Sequence, residues 1–268
     1  SIDFESDGHS ADWSGRVGAK WDVSEDSNVY VSYSRGFIGI GVNYTRSSTP
    51  DNTYLEPSIA DSFEIGFKSD LLDRTAQLHG AIFYMEVDDI QSTKRIPGST
   101  LTAPVNVGKI RSRGIELNGS WLATDMLMLT LGVAYTDVEF QEFDMDCYVG
   151  QTAAQGCTNG QQDLSGERPP QAPELKYTLS ANYDQPLADL PFNGFGNVSY
   201  VWQSETATDL ARDPRLEQDE YGLLNVSMGI RDKQERYELS VFGKNVTDEY
   251  YALSKGQADP VGGYFQFT

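Results

Sequence analysis

The stretch "RGIELNGSWL", Arg113–Leu122, keeps its apolar residues on one side of an extended chain. Successive side chains of a β-strand point to opposite faces, so Ile115, Leu117 and Trp121 share one face and the polar residues between them share the other. A soluble β-sandwich would bury the apolar face in a core, whereas an outer-membrane barrel would turn it to lipid and keep the polar face inside. The rest of the chain has to distinguish these two environments.

Composition narrows the possible classes of protein. The chain has 268 residues, enough for one large β domain or two ordinary ones. Asp and Glu number 40 against 20 for Lys and Arg, and the resulting formal net charge of -20 argues against nucleic acid as a partner. No run of about 18 apolar residues predicts a transmembrane helix, but a barrel strand needs only about ten alternating residues.

Strand patterns recur from end to end, and the gaps between them alternate between short and long. Ten strand candidates are present, with the start of another at "YFQFT". The short gaps include "SEDS", "ATDM" and "DKQE", whereas longer loops are predicted around "STKRIPGST", the cysteines and "SETATDLARDPRLEQDE". A period of 3.6 residues is nowhere convincing, so helices should be few. The alternation predicts an all-β, antiparallel up-and-down sheet whose two rims face different surroundings.

Three Asn-x-Ser/Thr tripeptides supply an internal check. They begin at Asn118, Asn197 and Asn225, each inside a strand pattern, where a glycosylation acceptor is not expected. A wet barrel lumen explains these paired polar side chains better. We therefore expect the apolar face of Arg113–Leu122 to meet hydrocarbon, with Trp121 near a membrane rim, and the polar face to line the interior.

Five segments resemble, in order, the C-terminal half of the barrel of TonB-dependent outer-membrane receptors. They are "WSGRVGAKWDVSEDSNVYVSYSRGF", "EPSIADSFEIGFKSDLLD", "AIFYMEVDDIQ", "NVGKIRSRGIELNGSW" and "FGKNVTDEYY", and together they extend from about Asp12 to Tyr251. The resemblance implies a transmembrane β-barrel of about 22 strands with a plugged lumen, of which 10 to 11 strands are expected here. It also implies that residues 1–268 are the C-terminal part of the barrel, without the plug domain and the closing strand.

The family resemblance carries further expectations about function. It implies an active transporter in the cell outer membrane of a Gram-negative bacterium, in contact with membrane lipid and lipopolysaccharide. The imported ligand is expected to be a ferric siderophore or another iron complex, with cobalamin, haem and glycans as alternatives. Energy would come from the TonB complex, which acts through a plug that this chain does not carry.

The two cysteines lie in a polar, Gly-rich stretch without core periodicity. A local disulfide between Cys147 and Cys157 is favoured, and it indicates an oxidising compartment. Two thiols make a poor zinc site, since zinc prefers about four N or S ligands and His9 and His79 are distant in sequence. No metal site or cofactor is predicted.

Candidate ligand-binding residues lie in the predicted outer loops and mouth. They are Arg35, Asn43, Tyr44, Arg46, Tyr54, Tyr148, Tyr250 and Tyr251. Arg35 could meet an anionic ligand near the mouth or form an ion pair in the lumen wall. The amphipathic tyrosines could grip a ligand or anchor the barrel in the headgroup zone.

The acids of "VEFQEFDMD", Glu139–Asp146, could bind a hard cation, but their spacing favours a solvated acidic loop. No catalytic motif stands out, since the chain has no "GxSxG", no "HExxH" and no phosphate loop, so an enzyme is not predicted. Two rivals to the importer remain. One is a passive diffusion channel, and the other is a soluble β-sandwich binding module that would fold in buffer without detergent.

Overall fold

The structure, a computed structural model, describes residues 8–43, 53–95, 102–258 and 263–267. In chain order its strands are β1 (Gly15–Ser24), β2 (Ser27–Ile38), β3 (Gly41–Val42), β4 (Tyr54–Leu55), β5 (Ser58–Leu71), β6 (Ala76–Arg95), β7 (Thr102–Thr124), β8 (Leu127–Glu142), β9 (Asp144–Asp146), β10 (Gln161–Asp163), β11 (Leu175–Pro186), β12 (Phe192–Gln203), β13 (Thr206–Ala207), β14 (Glu217–Gln218), β15 (Tyr221–Asp232), β16 (Glu238–Gly243), β17 (Ser254–Ala258) and β18 (Gly263–Phe267). Ten of them form one sheet in the order β1-β2-β5-β6-β7-β8-β11-β12-β15-β16. Every neighbouring pair is antiparallel, which confirms the predicted up-and-down arrangement of ten strands.

Connections at the two ends of this sheet differ in length, as the sequence predicted. Short turns join β1 to β2, β5 to β6, β7 to β8, β11 to β12 and β15 to β16. Most connections at the opposite end are longer, and they contain the two-stranded pairs β3-β4, β9-β10 and β13-β14. The sequence did not predict these pairs, because strands of two or three residues are too short to show alternation. The predicted strand at "YFQFT" is β18, which pairs with β17.

The loop predicted around "STKRIPGST" is shorter than expected. Strand β6 continues to Arg95 and β7 begins at Thr102, with Ser92 opposite Val105 in the ladder. Residues 96–101 lie outside the described part of the chain. The two strands therefore extend as a paired ribbon beyond their neighbours, and polar Ser and Thr residues continue the ladder there.

One face of the ten-stranded sheet is apolar and uncovered. Ile115 of β7 lies opposite Ile82 of β6 and Tyr135 of β8, and the three side chains are 53%, 61% and 45% exposed. The other sheets in the described residues have only two strands each, so none forms a second layer over this face. A sandwich would need such a layer, and an outer-membrane barrel would place lipid there. The described chain contains no helix of the length and apolarity that crossing a membrane requires.

The opposite face is lined by small and polar side chains. Thr130 and Ser180 share a hydrogen bond of 2.6 Å between neighbouring strands, and Asn197 donates to Asn182 at 2.7 Å. The three Asn-x-Ser/Thr tripeptides lie in β7, β12 and β15, as predicted. This face has the polar character expected of a barrel lumen.

Along β7 the polarity of the two faces reverses near Arg113. Arg113 and Arg111 alternate onto the same face as Ile115, but they form ion pairs with Asp137 at 2.8 Å and Glu139 at 2.5 Å. Aromatic rings mark the same level on neighbouring strands, where Tyr33 and Phe63 pack with their centroids 4.9 Å apart. This sequence of apolar, aromatic and charged rows is typical of a surface passing from hydrocarbon through the headgroup zone.

Beyond the reversal, the inner face becomes apolar and supports a small core. Phe140, Phe143 and Leu164 are 2%, 7% and 3% exposed and pack together. Partly buried residues surround them, namely Ile90, Val105, Ile110, Met145 and Leu210. The described core therefore lies at the long-loop end, where it joins the strand ends to two loops.

The turn between β5 and β6, at the short-turn end, has an unusual backbone. Leu72, Asp73 and Arg74 have φ values of 53°, 54° and 68°, in the left-handed region that L side chains rarely adopt. The Arg74 guanidinium lies 2.7 Å from the carboxylate of Asp26 in the neighbouring turn. This contact ties the β5-β6 turn to the β1-β2 turn.

Candidate ligand-binding site at the outer mouth

A cavity of about 850 Å³ lies at the long-loop end of the sheet, between the ends of β7 and β8 and the loops above them. Its walls come from three segments, namely Val105, Asn106 and Gly108, then residues 142–149 with Asp163 and Ser165, and finally residues 209–211. Its volume falls within the range of pockets that bind small molecules. The cavity is therefore the leading candidate for ligand capture.

A disulfide closes the loop that forms one wall. Cys147 and Cys157 are bonded, with their Cα atoms 5.8 Å apart, which confirms the pairing predicted from sequence. Within the ring, a short 3-10 helix at Ala153–Gln155 begins after Thr152, whose backbone N–H donates to the Gln155 side chain at 2.9 Å. The cross-link and these local bonds restrict the loop beside the cavity.

A buried aspartate organises the facing loop. Asp213 is 1% exposed, precedes the 3-10 helix Pro214–Leu216, and accepts a hydrogen bond from the backbone N–H of Arg215 at 3.0 Å. The Arg215 guanidinium binds the same carboxylate and also donates to the carbonyl of Val149 at 2.7 Å. It lies 5.8 Å from the ring centroid of Tyr148, a cation-π distance.

Further hydrogen bonds join the two loops into one body. Gln162 donates to the carbonyl of Ala211 at 2.9 Å, and the backbone N–H of Gln171 donates to the carbonyl of Ala207 at 2.9 Å. We call residues 143–174 and 204–220 the loop block. Because these contacts cross between loops that are distant in sequence, the loop block has a fixed shape beside the cavity.

The cavity has acidic walls with apolar patches. Five carboxylates line it, namely Glu142, Asp144, Asp146, Asp163 and Asp209, together with the apolar side chains of Phe143, Met145 and Leu210. Burial raises the pKa of Asp209, whereas hydrogen bonds from Ser165 lower the pKa of Asp163. The site favours positively charged or neutral groups next to apolar surface.

Of the residues predicted from sequence, Tyr148 lines the cavity. Arg35 forms an ion pair with Asp61 at 2.9 Å, but both alternate onto the apolar face with Val31 and Tyr33. The interpretation of Arg35 as a lumen-wall residue is therefore wrong. The sequence predicted the ion pair but not the face of the sheet on which it lies. Arg35 lies beyond the level at which the polarity of the two faces reverses.

The other predicted residues that the structure describes lie outside the cavity wall. Asn43 is 5% exposed, and its backbone N–H donates to the carbonyl of Thr53 beside Tyr54 in the β3-β4 hairpin. Tyr250 is exposed, and Tyr251 stacks on Tyr221 with centroids 4.8 Å apart. Tyr44 and Arg46 lie outside the described residues.

Sequence reasoning missed several residues of the cavity. It noticed Asp144 and Asp146 as loop acids, but Asp163 and Asp209 reach the cavity only through the fold of the loop block. In the part of the chain that the structure describes, no group of three or more His, Cys, Asp or Glu side chains is arranged to hold a metal ion. Of the acids weighed as cation ligands, Glu139 instead binds Arg111.

A sequence profile described as "TonB dependent receptor-like, beta-barrel" matches residues 2–246. The chain belongs to this family. TonB-dependent receptors are outer-membrane proteins of Gram-negative bacteria. The apolar face described above has the character that the outer surface of a membrane-spanning barrel requires. The proposed barrel fold and outer-membrane location are thereby confirmed.

Curated TonB-dependent receptors show moderate sequence similarity. The "Probable TonB-dependent siderophore receptor PiuA" of Acinetobacter baumannii is 29% identical over 173 residues, which is 63% of this chain and 22% of that protein. The "Ferric-pyoverdine M114 receptor PbuA" of a Pseudomonas species is 28% identical over 127 residues, 47% of this chain and 15% of that protein. The matched part of the chain thus spans 22% and 15% of the length of these two receptors.

Solved structures of TonB-dependent receptors share the fold. The ferric yersiniabactin uptake receptor FyuA from Yersinia pestis superposes with a TM-score of 0.71 and 17% identity, over 95% of this chain and 35% of that chain. The siderophore receptor PiuA from Acinetobacter baumannii gives a TM-score of 0.66 and 21% identity, over 95% of this chain and 34% of that one. At these identities the likeness establishes the fold alone.

Proposed function

We propose that this chain forms part of the wall and the outer mouth of a receptor that imports an iron complex, most directly a ferric siderophore. The observation that carries the proposal is the cavity of about 850 Å³ beside the loop block, at the long-loop end of a receptor-family sheet. The names of the relatives, siderophore and ferric-pyoverdine receptors, support the class of ligand. The chain would act in transport and not as an enzyme.

The mechanism begins with capture at the outer mouth. The ligand would contact Tyr148 and the apolar patch while the carboxylates select its charge. The disulfide and the interloop hydrogen bonds hold these groups in place, which lowers the entropy cost of binding. Passage would then follow the polar face of the sheet, after TonB-driven movement of a plug domain.

The charge of the cavity narrows the class of iron complex. Five carboxylates disfavour a strongly anionic chelate and favour one that presents ammonium or neutral groups. Removing one exposed carboxylate should cost a cationic ligand about 1 kcal/mol, roughly fivefold in affinity. The selectivity would therefore appear as a difference in binding affinity between ferric chelates of opposite net charge.

Transport experiments would test the function in cells carrying the complete receptor. Uptake of radioactive iron should be measured for a panel of ferric siderophores, with and without a functional TonB complex. We expect saturable uptake that is lost when TonB is absent or the proton gradient is collapsed. Uptake that persists without energy would instead support a passive diffusion channel.

Binding experiments would test the site. The complete receptor with Asp144→Asn and Asp163→Asn should bind cationic ferric chelates more weakly and anionic ones no more weakly than wild type. Asp189→Asn, in the β11-β12 turn at the opposite end, is the matched control. Equal affinities of the double variant and the wild type for the whole panel would exclude this cavity as the binding site.

A further inference from the structure

The lipid-facing side of the sheet contains a second cavity, an open groove of about 600 Å³ near the short turns. Its lining is almost wholly apolar and comes from the β5-β6 turn and from five adjacent strands, β6, β7, β8, β11 and β12. Four interstrand spacings of about 4.8 Å give it a length of about 19 Å.

The lining of the groove combines small residues with large apolar and aromatic ones. Gly119 and Ala181 leave space between larger neighbours such as Trp121 and Tyr200. A methyl group on Gly119 would meet its nearest neighbour, Leu78, at 3.5 Å, an ordinary contact, so close packing does not require glycine here. Within a bilayer such a depression must be filled by hydrocarbon, because an empty one loses van der Waals contacts.

The strained β5-β6 turn lies at one end of the groove. Leu72 lines the groove and is 63% exposed, although its left-handed backbone is strained for any residue other than glycine. Arg74, two residues later, has the same kind of backbone and a side chain that is 68% exposed. Glycine would relieve the strain at both positions, but it would supply neither the apolar wall nor the positive charge.

Arg74 keeps hydrogen-bonding capacity for a second partner. Its Nε and Nη2 atoms contact the same oxygen of Asp26, at 2.8 Å and 2.7 Å. A guanidinium has five N–H donors, so part of the group remains available to an anion arriving from the membrane side. Phosphate is the anion that lies beside hydrocarbon at a membrane surface, and arginine recognises it well.

The geometry points to a phospholipid site on the periplasmic side of the lipid-facing surface. One acyl chain lies in the groove, along Gly119 and Ala181, and the phosphate group contacts Arg74. The groove is continuous with the lipid-facing band, and its end lies at the short turns, which are periplasmic in outer-membrane barrels. This inference rests on the outer-membrane location and not on the identity of the imported ligand.

Native mass spectrometry of the complete receptor in mild detergent would test the site. The probe is a palmitoyl-oleoyl phosphatidylethanolamine, titrated against wild type and variants. We expect wild type to retain one such lipid in a saturable manner, and the groove-filling variant Gly119→Leu with Ala181→Leu to bind it at least tenfold more weakly. Arg74→Ala should weaken binding several-fold, because it removes the phosphate contact.

Two variants serve as controls. Gly196→Leu adds the same side chain to the same face outside the groove, where the nearest atom to its Cβ would be 3.7 Å away. Asp73→Gly relieves the turn while keeping Leu72 and Arg74. Gly196→Leu should bind the lipid as wild type does, and Asp73→Gly, which also removes a negative charge beside Arg74, should bind it no more weakly. If the double leucine variant does not fold, Gly119→Ala provides a milder filling and should weaken binding measurably.

Two outcomes would overturn the proposal. In one, wild type and the groove-filling variant retain the same amount of lipid. In the other, the groove is covered by a second receptor, seen as a dimer mass that the filling variant loses. Siderophore uptake should be equal in wild type and the groove variants, so failure of the lipid result leaves the proposed transport function intact.

Discussion

Asp209 is a carboxylate of the cavity wall that the loop block partly buries. It accepts a hydrogen bond from the backbone N–H of Asp213 at 3.0 Å, but burial still raises its pKa. The charged form is therefore less favourable in the folded state than in the unfolded chain. Such a residue lowers stability at neutral pH and places a negative charge where a cationic ligand would meet it.

The raised pKa of Asp209 predicts a pH dependence of the loop block. The pKa of Asp209 in the folded state lies above the ordinary value of 3.8. The free energy of unfolding of the loop block should therefore fall as pH rises from 3.8 to the folded-state pKa, and it should level off above that pKa. We expect Asp209→Asn to remove this slope and to protect the loop block more at pH 7. Hydrogen exchange of residues 204–220, corrected for intrinsic rates, would measure it. An unchanged slope in the variant would assign the dependence to another group.

Arg35 illustrates what a single residue cannot reveal without its neighbours. The sequence predicts that it forms an ion pair, and the contact with Asp61 agrees. The face that Arg35 lies on could not be predicted. A charged residue is expected on the lumen face within the hydrocarbon, but it can lie on the outer face at the level of the headgroups, and the sequence alone does not give that level. That level is set by the aromatic row that includes Tyr33 and Phe63.

At the scale of elements, the alternation of β7 was enough to predict which residues form the apolar face of the sheet. Each strand of the large sheet is long enough for the period of two to show. The loop block was not predictable, because its contacts, such as Gln162 with Ala211, join segments 49 positions apart in the chain. The cavity depends on those contacts. The sequence analysis therefore identified only Tyr148 and some of the acidic residues of the cavity wall.

The face assignment of β7 predicts the effect of adding a charge. Leu117→Arg, midway between Arg113 and Trp121 on the apolar face, should place a guanidinium in hydrocarbon and cost about 2–4 kcal/mol near the middle of the bilayer, whereas Asn118→Arg on the polar face should cost far less. The folded fraction of the complete receptor, measured by its heat-dependent mobility in gel electrophoresis, would compare them. Equal effects of the two substitutions would contradict the assignment.

The disulfide should act on its own loop and not on the sheet. Replacing both cysteines, Cys147→Ser with Cys157→Ser, should remove about 2–4 kcal/mol of stabilisation from the loop. Hydrogen exchange should then rise in residues 147–162, while the strands keep their protection, because the ladder bonds do not involve the loop. Faster exchange throughout β8 and β11 would show that the cross-link supports the sheet as well.

At the scale of the whole molecule, the uncovered apolar face predicts dependence on an amphiphile. Side chains such as Val241, 71% exposed, and Met228, 66% exposed, would aggregate in water. The complete receptor should therefore be monodisperse in detergent or nanodiscs and should aggregate when detergent is removed, as measured by light scattering. A folded, monodisperse protein in plain buffer would favour the soluble sandwich.

The reversal of polarity along β7 also fixes how deep the protein sits. Sliding the sheet by two residues, roughly 7 Å along a strand, would draw Arg113 and Asp137 into acyl chains at one side and lift Trp121 away from its rim at the other. Both displacements raise the free energy of the protein in the membrane, so the sheet has one preferred depth in the bilayer. The loops above it are then held at a constant height over the cell surface, whatever thermal motion the surrounding lipids undergo.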